Sequence, residues 1–89
     1  MNMPIFLAEF IGTFILVLAI LSAGNPLFIA AAFLAAITIA SKFSGGHLNP
    51  VVSLVMVMNG TIKSGQLAVY IPAQVAGALS AYCAFKMMR

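Results

Sequence analysis

Three long apolar runs carry most of this chain, and its few charges fall between or near them. Only five of the 89 residues are formally charged: Glu9, Lys42, Lys63, Lys86 and Arg89. A soluble domain covers its surface with about 25% charged residues, which this sequence cannot supply, since 64% of it is hydrophobic. The solvent it suits is lipid, and the bilayer is its first partner. A chain this short buries only a small core, and three helices side by side leave most of their surface facing outward, so self-association is expected.

The first run spans about 4–23 and is broken only by Glu9 and softened by Gly12 and Thr13. About 20 residues at about 1.5 Å each match a hydrocarbon core of about 30 Å. The run begins at once, lacks a basic leader and exceeds the usual signal-peptide length, so it reads as a permanent span. Gly24-Asn25-Pro26 is a turn with a helix breaker, and Pro26 suits the first position of the next helix. The second run, about 27–42, ends at Lys42 and is slightly short unless its flanks reach the interface. Its Ala32, Ala36 and Ala40 line one face, where a neighbouring helix can approach closely. The third run, about 66–88, has Pro72 near its start and a similar stripe at Ala73, Gly77 and Ala81. Both stripes read as helix packing.

Between the second and third runs, residues 43–59 are too apolar for a solvated loop. Phe43-Ser44-Gly45-Gly46-His47-Leu48-Asn49-Pro50 leads into an apolar stretch from Val51 to Met58, closed by Asn59-Gly60. Asn49 is a good N-cap, Pro50 fits the first helical position, and Asn59-Gly60 is a C-terminal stop. Nine residues give about 13 Å of helix, roughly half a hydrocarbon core. A half-length apolar helix behind a Gly-Gly loop has the form of a re-entrant segment. Non-helical backbone at membrane depth is tolerated only where it is buried in protein or lines a watery cavity. The predicted fold class is therefore an all-α membrane protein with three transmembrane helices and one re-entrant half-helix.

That arrangement has a chemical use. The oxygen of Asn49 can cap the backbone while its amide hydrogens donate to a passing water or hydroxyl, and the carbonyls of Gly45, Gly46, His47 and Leu48 can accept. A cation would meet the positive end of a helix dipole with no carboxylate to replace its hydration. One His, one Cys and one carboxylate are scattered along the chain, so no metal site, cofactor or enzyme chemistry is expected. Cys83 has no intrachain partner and reads as a small membrane-helix residue. The basic residues do not cluster with aromatic ones, so nucleic acid is not an expected partner. The tail Lys86 to Arg89 reads as an interface anchor.

Three segments, in order and covering nearly all of the chain, resemble the major intrinsic proteins, the family of aquaporins and glycerol facilitators. Ala8-Glu9-Phe10-Ile11-Gly12-Thr13-Phe14 is similar to the family's first helix, Ser44-Gly45-Gly46-His47-Leu48-Asn49-Pro50 to its first re-entrant loop, and Tyr70-Ile71-Pro72-Ala73-Gln74-Val75-Ala76-Gly77-Ala78 to its third helix. The resemblance implies that residues 1–89 form a single repeat, half of the family's six-helix inverted fold. It makes Asn49 and Pro50 two members of the signature Asn-Pro-Ala tripeptide, with Val51 in place of Ala. It puts Val52 and His47 beside the pore, and makes Glu9 the buried acid that accepts hydrogen bonds from the loop. Glu9 lies about 7 Å inside the first span, on the same membrane side as the loop, which agrees with that role. A proton-carrying Glu9 is the alternative.

In the family, two such halves meet at the midplane. The resemblance therefore implies an antiparallel homodimer of inverted copies, or a heterodimer with another half-length chain, with pores gathered into a tetramer. Lys42, Lys63 and the terminal amine on one side face Lys86 and Arg89 on the other, so the positive-inside bias is weak and either orientation is open. In a homodimer the family's filter arginine aligns with Val52 and its filter aromatic roughly with Ile29, leaving an apolar constriction. The implied function is passive conduction of water or a small neutral solute such as glycerol. Two alternatives stand beside it: a non-conducting subunit or remnant that associates with another aquaporin-like chain, and a small dual-topology proton-coupled transporter.

Overall fold

The computed structural model describes residues 2–88. Arg89 and the terminal amine of Met1, both invoked in the charge balance, lie outside the described residues. Four α-helices follow in chain order: α1 (Asn2–Ala23), α2 (Pro26–Ser44), α3 (Pro50–Met58) and α4 (Leu67–Met88), with one 3₁₀ turn at Ser64–Gln66 before α4. No strand occurs among the described residues. Helices α1, α2 and α4 are long and apolar enough to cross a membrane, and α3 is half their length. The chain is an all-α, multi-pass integral membrane protein.

Each boundary has a local cause. At α2, Asn25 Oδ1 accepts from the backbone N–H groups of Leu27 at 2.9 Å and Phe28 at 3.2 Å, with Pro26 next in line. The helix stops at Gly45, whose φ of +86° only glycine adopts freely, and whose N–H returns to the Ser41 carbonyl. Asn49 repeats the same device for α3, its Oδ1 accepting from Val51 N–H at 2.8 Å. Pro72 sits in the second turn of α4, where it costs one hydrogen bond near an end. Exposed hydroxyls are spared unpaired contact with lipid by back-bonding: Ser22 donates to the Leu18 carbonyl and Thr38 to that of Leu34. Near the end of α4, the Lys86 ammonium lies 5.8 Å from the Tyr82 ring centre, an arrangement suited to an interface.

Helix α1 is the hub, packed against α2 on one side and α4 on the other, while α3 rides on α4. The small residues foreseen as packing stripes do this work. Ala36 and Ala40 of α2 are buried with Ala8 and Leu48. On α4, Ala73, Gly77 and Ala81 are buried. A Cβ placed on Gly77 would lie 2.5 Å from the carbonyl oxygen of Phe10, so α1 and α4 touch backbone to backbone there. That contact sets the depth at which polar groups of the two helices can meet.

Candidate functional site

Glu9 is fully buried in the middle of this packing and is ringed by donors. Its Oε2 accepts from the Ser44 hydroxyl at 2.6 Å and from His47 N–H at 3.0 Å. Its Oε1 accepts from Leu48 N–H at 2.7 Å and from Gln74 Nε2 at 2.9 Å. Four donors and no acceptor is the pattern that an ionised carboxylate takes, and two of the four are consecutive backbone N–H groups of a left-handed turn, an anion nest. No cation pairs with it among the described residues. Gly46 and Leu48 have φ of +67° and +57°, which turns both N–H groups toward the acid.

A second tier extends this brace to α3 and α4. Gln74 Nε2 also donates to Ser53 Oγ at 2.9 Å, and Ser53 lies 2.8 Å from His47 Nδ1. Ser53 thus joins Gln74 of α4 to the His47 ring of the loop. The His47 ring stacks on Tyr70 with centroids 4.4 Å apart, and the Tyr70 hydroxyl donates to the Ser44 carbonyl at 2.7 Å. Gln74 and Glu9 each stand about seven residues into their helices, roughly 10 Å deep. The loop and Ser53, the fourth residue of α3, are therefore held inside the helix bundle, and Asn49 stands between them.

Asn49 itself is exposed, and only its oxygen is engaged. The two N–H donors of the same amide make no hydrogen bond among the described residues. Pro50 and Val51 are exposed beside it, and Val52 is half-buried. The other residues singled out from sequence divide. Gly45 is exposed and Gly46 half-buried, but the side chains of His47 and Leu48 turn into the protein, so only their backbone remains to face a path. Ile29 is half-buried in the first turn of α2, at the opposite end of that helix from the loop. Sequence reasoning missed Ser44, Ser53, Tyr70 and Gln74 as parts of the site. The signal was present: Ser53 and Gln74 are polar residues inside apolar helices, which in a membrane must find partners. An apolar groove of about 420 Å³ between α1 and α2, lined by residues such as Leu7, Ile11 and Phe43, does not include Asn49.

Fold and site together define a polytopic membrane protein with a re-entrant half-helix held from beneath by a buried acid. The family described as Major intrinsic protein matches residues 2–89, and the chain belongs to it. The chain is 40% identical over 90 residues to Glycerol uptake facilitator protein-like 6 of Lactiplantibacillus plantarum, covering 91% of this chain and 42% of that protein. It is 34% identical over 89 residues to Aquaglyceroporin AqpS of Rhizobium meliloti, covering 82% and 38%. Against Aquaporin-9 of Homo sapiens it is 40% identical over 87 residues, covering 81% and 30%. The 89 residues thus span less than half the length of these relatives. No solved structure matches the chain.

Proposed function

We propose that these residues form half of a passive channel for water or small neutral solutes such as glycerol, with the path running past Asn49. The observation that carries this reading is the contrast at the head of α3. Beneath Asn49 the Glu9 carboxylate is buried with both oxygens bonded, while the two N–H donors of the Asn49 amide are left open at membrane depth. A neutral solute exchanges hydrogen bonds with that amide and with the loop carbonyls of Gly45, Gly46, His47 and Leu48. A cation finds the positive end of α3 and no free carboxylate, because all four acceptor positions of Glu9 are taken. Val51 and Val52 line the path at its centre and Ile29 near one mouth. Such an apolar lining favours glycerol-like solutes over strict water selectivity, and the relative named for glycerol uptake supports it.

One half-helix does not enclose a path, and α3 leaves an apolar stripe open: Val51, Leu54, Val55 and Met58 are 66%, 49%, 50% and 78% exposed. These positions follow helical spacing on one face. We assign the cover to an inverted second copy, giving an antiparallel homodimer, with a heterodimer with another half-length chain as the other form of the same architecture and a tetramer of pores as its higher assembly. Lys42 and Lys63 on one side and Lys86 on the other leave insertion free to go either way.

The test is stopped-flow light scattering on liposomes holding only the purified chain, challenged with an impermeant osmolyte and then with glycerol. Flux above the empty-liposome rate with a low activation energy is the expected result. Absence of flux from verified, folded proteoliposomes would overturn conduction by this chain alone.

A further inference from the structure

We infer that Gly12 of α1 and Leu48 of the loop form a size-matched lock that sets the position of Asn49, an inference that rests on Asn49 being the polar group of the path. Leu48 is the one non-glycine residue at positive φ among the described residues, a conformation that L side chains rarely adopt. Such a residue persists only where its surroundings over-determine it. Its N–H is held by Glu9 Oε1 at 2.7 Å, and its side chain is 4% exposed in a cluster with Ala8, Ala36 and Ala40.

Gly12 supplies the remaining wall. A Cβ built there would lie 2.5 Å from Leu48 Cδ2 and 3.5 Å from the Cβ of Ala40. The leucine methyl therefore occupies the space that any side chain at position 12 would fill. Glu9 and Gly12 are three apart on α1 and share a face, so one turn of one helix grips both the main chain and the side chain of Leu48. The carboxylate fixes the depth of the loop. The bonds from His47 and Leu48 N–H hold the turn on the carboxylate, and the seated side chain fixes the Leu48 dihedrals that aim the chain leaving it. The next residue is Asn49, extended at φ −156° and ψ 127°, whose side chain caps α3. A rotation at Leu48 passes directly to the Asn49 amide. Gly12 and Leu48 are thus positioning residues, acting on the path through Asn49.

The test is a double-mutant cycle of Gly12→Ala, Leu48→Ala and the pair, read as the ratio of glycerol to water permeability in proteoliposomes. The Asn49 side-chain amide resonance in detergent micelles is recorded in parallel. Gly12→Ala is expected to change the ratio about tenfold and to move the amide resonance with Leu48 present, and to change the ratio less than about twofold in the Leu48→Ala background. An equal change in both backgrounds, or none in either, would overturn the lock. If Gly12→Ala alone does not fold, folding restored in the pair supports the lock, and an unfolded pair overturns it. Should the parent chain carry no flux, conduction fails as a reading, while the amide resonance still decides the lock by the same comparison.

Discussion

Substituting Gly77 with alanine tests the packing on which the whole site hangs. The added Cβ would stand 2.5 Å from the Phe10 carbonyl oxygen, 3.2 Å from its carbon and 3.3 Å from its Cα. All three are backbone atoms of a helix and cannot rotate away. An ordinary carbon–oxygen contact needs about 3.3 Å, so the two helices must part by about 0.8 Å. One turn away, the bond of 2.9 Å between Gln74 Nε2 and Glu9 Oε1 stretches toward about 3.7 Å, beyond hydrogen-bond reach. Overpacking costs about 1–3 kcal/mol, and weakening a bond to a charged group adds about 1.5 kcal/mol. Alanine's better helix propensity returns about 1 kcal/mol, which leaves a net loss of about 1.5–3.5 kcal/mol by these terms. Gly65 provides the control, since a Cβ there meets nothing within 4 Å. In thermal unfolding followed by circular dichroism in detergent, Gly77→Ala should melt about 10 °C below Gly65→Ala. Melting within about 2 °C of that control would refute the close helix contact.

Three further outcomes follow from the same geometry. Glu9→Gln turns one acceptor oxygen into a donor, leaving Ser44 and His47, or Leu48 and Gln74, facing a group that cannot accept; a loss of about 2–4 kcal/mol is expected in the same melt, and parental stability would remove the four-donor brace. Tyr70→Phe keeps the stack on His47 but deletes the bond to the Ser44 carbonyl, so a loss of about 1 kcal/mol is expected, and a loss as large as that of Glu9→Gln would show that the ring rather than the hydroxyl matters. Asn49→Asp adds a carboxylate at the head of α3 and is expected to admit sodium, measured as tracer uptake into proteoliposomes; uptake at the parental level would sink the role given to that amide.

The spans, the half-helix and its caps were legible because they depend on local chemistry: apolar run length, Asn-Pro starts and glycine stops. The dipeptide alone does not mark a site. Asn25-Pro26 and Asn49-Pro50 both cap their helices by accepting the N–H two residues on, yet the first sits in an exposed turn and the second at the end of a loop held by a buried acid. What separates them is Glu9, which lies 35–39 residues before the loop groups it holds, a long-range pairing that local spacing does not encode. The inward turn of His47 and Leu48 was illegible for a related reason. Loop side chains near a path look alike in sequence whether they face it or the core. Here Tyr70 and Ser53 draw the imidazole inward, and the space over Gly12 draws the leucine. Gln74 and Ser53 carried a signal, as polar residues in apolar helices, but only the fold shows that they bond each other and that Gln74 also reaches Glu9.

The most direct test of a conducting path beside Asn49 is chemical access to its neighbour. A Val52→Cys chain, with Cys83→Ser to remove the native thiol, is reconstituted and treated with a small charged thiol reagent during osmotic challenge. The account predicts reaction at position 52 and loss of water flux in step with modification, reversed by a reducing agent. A position 52 that stays unmodified while water flows, or that is modified with flux unchanged, would contradict it.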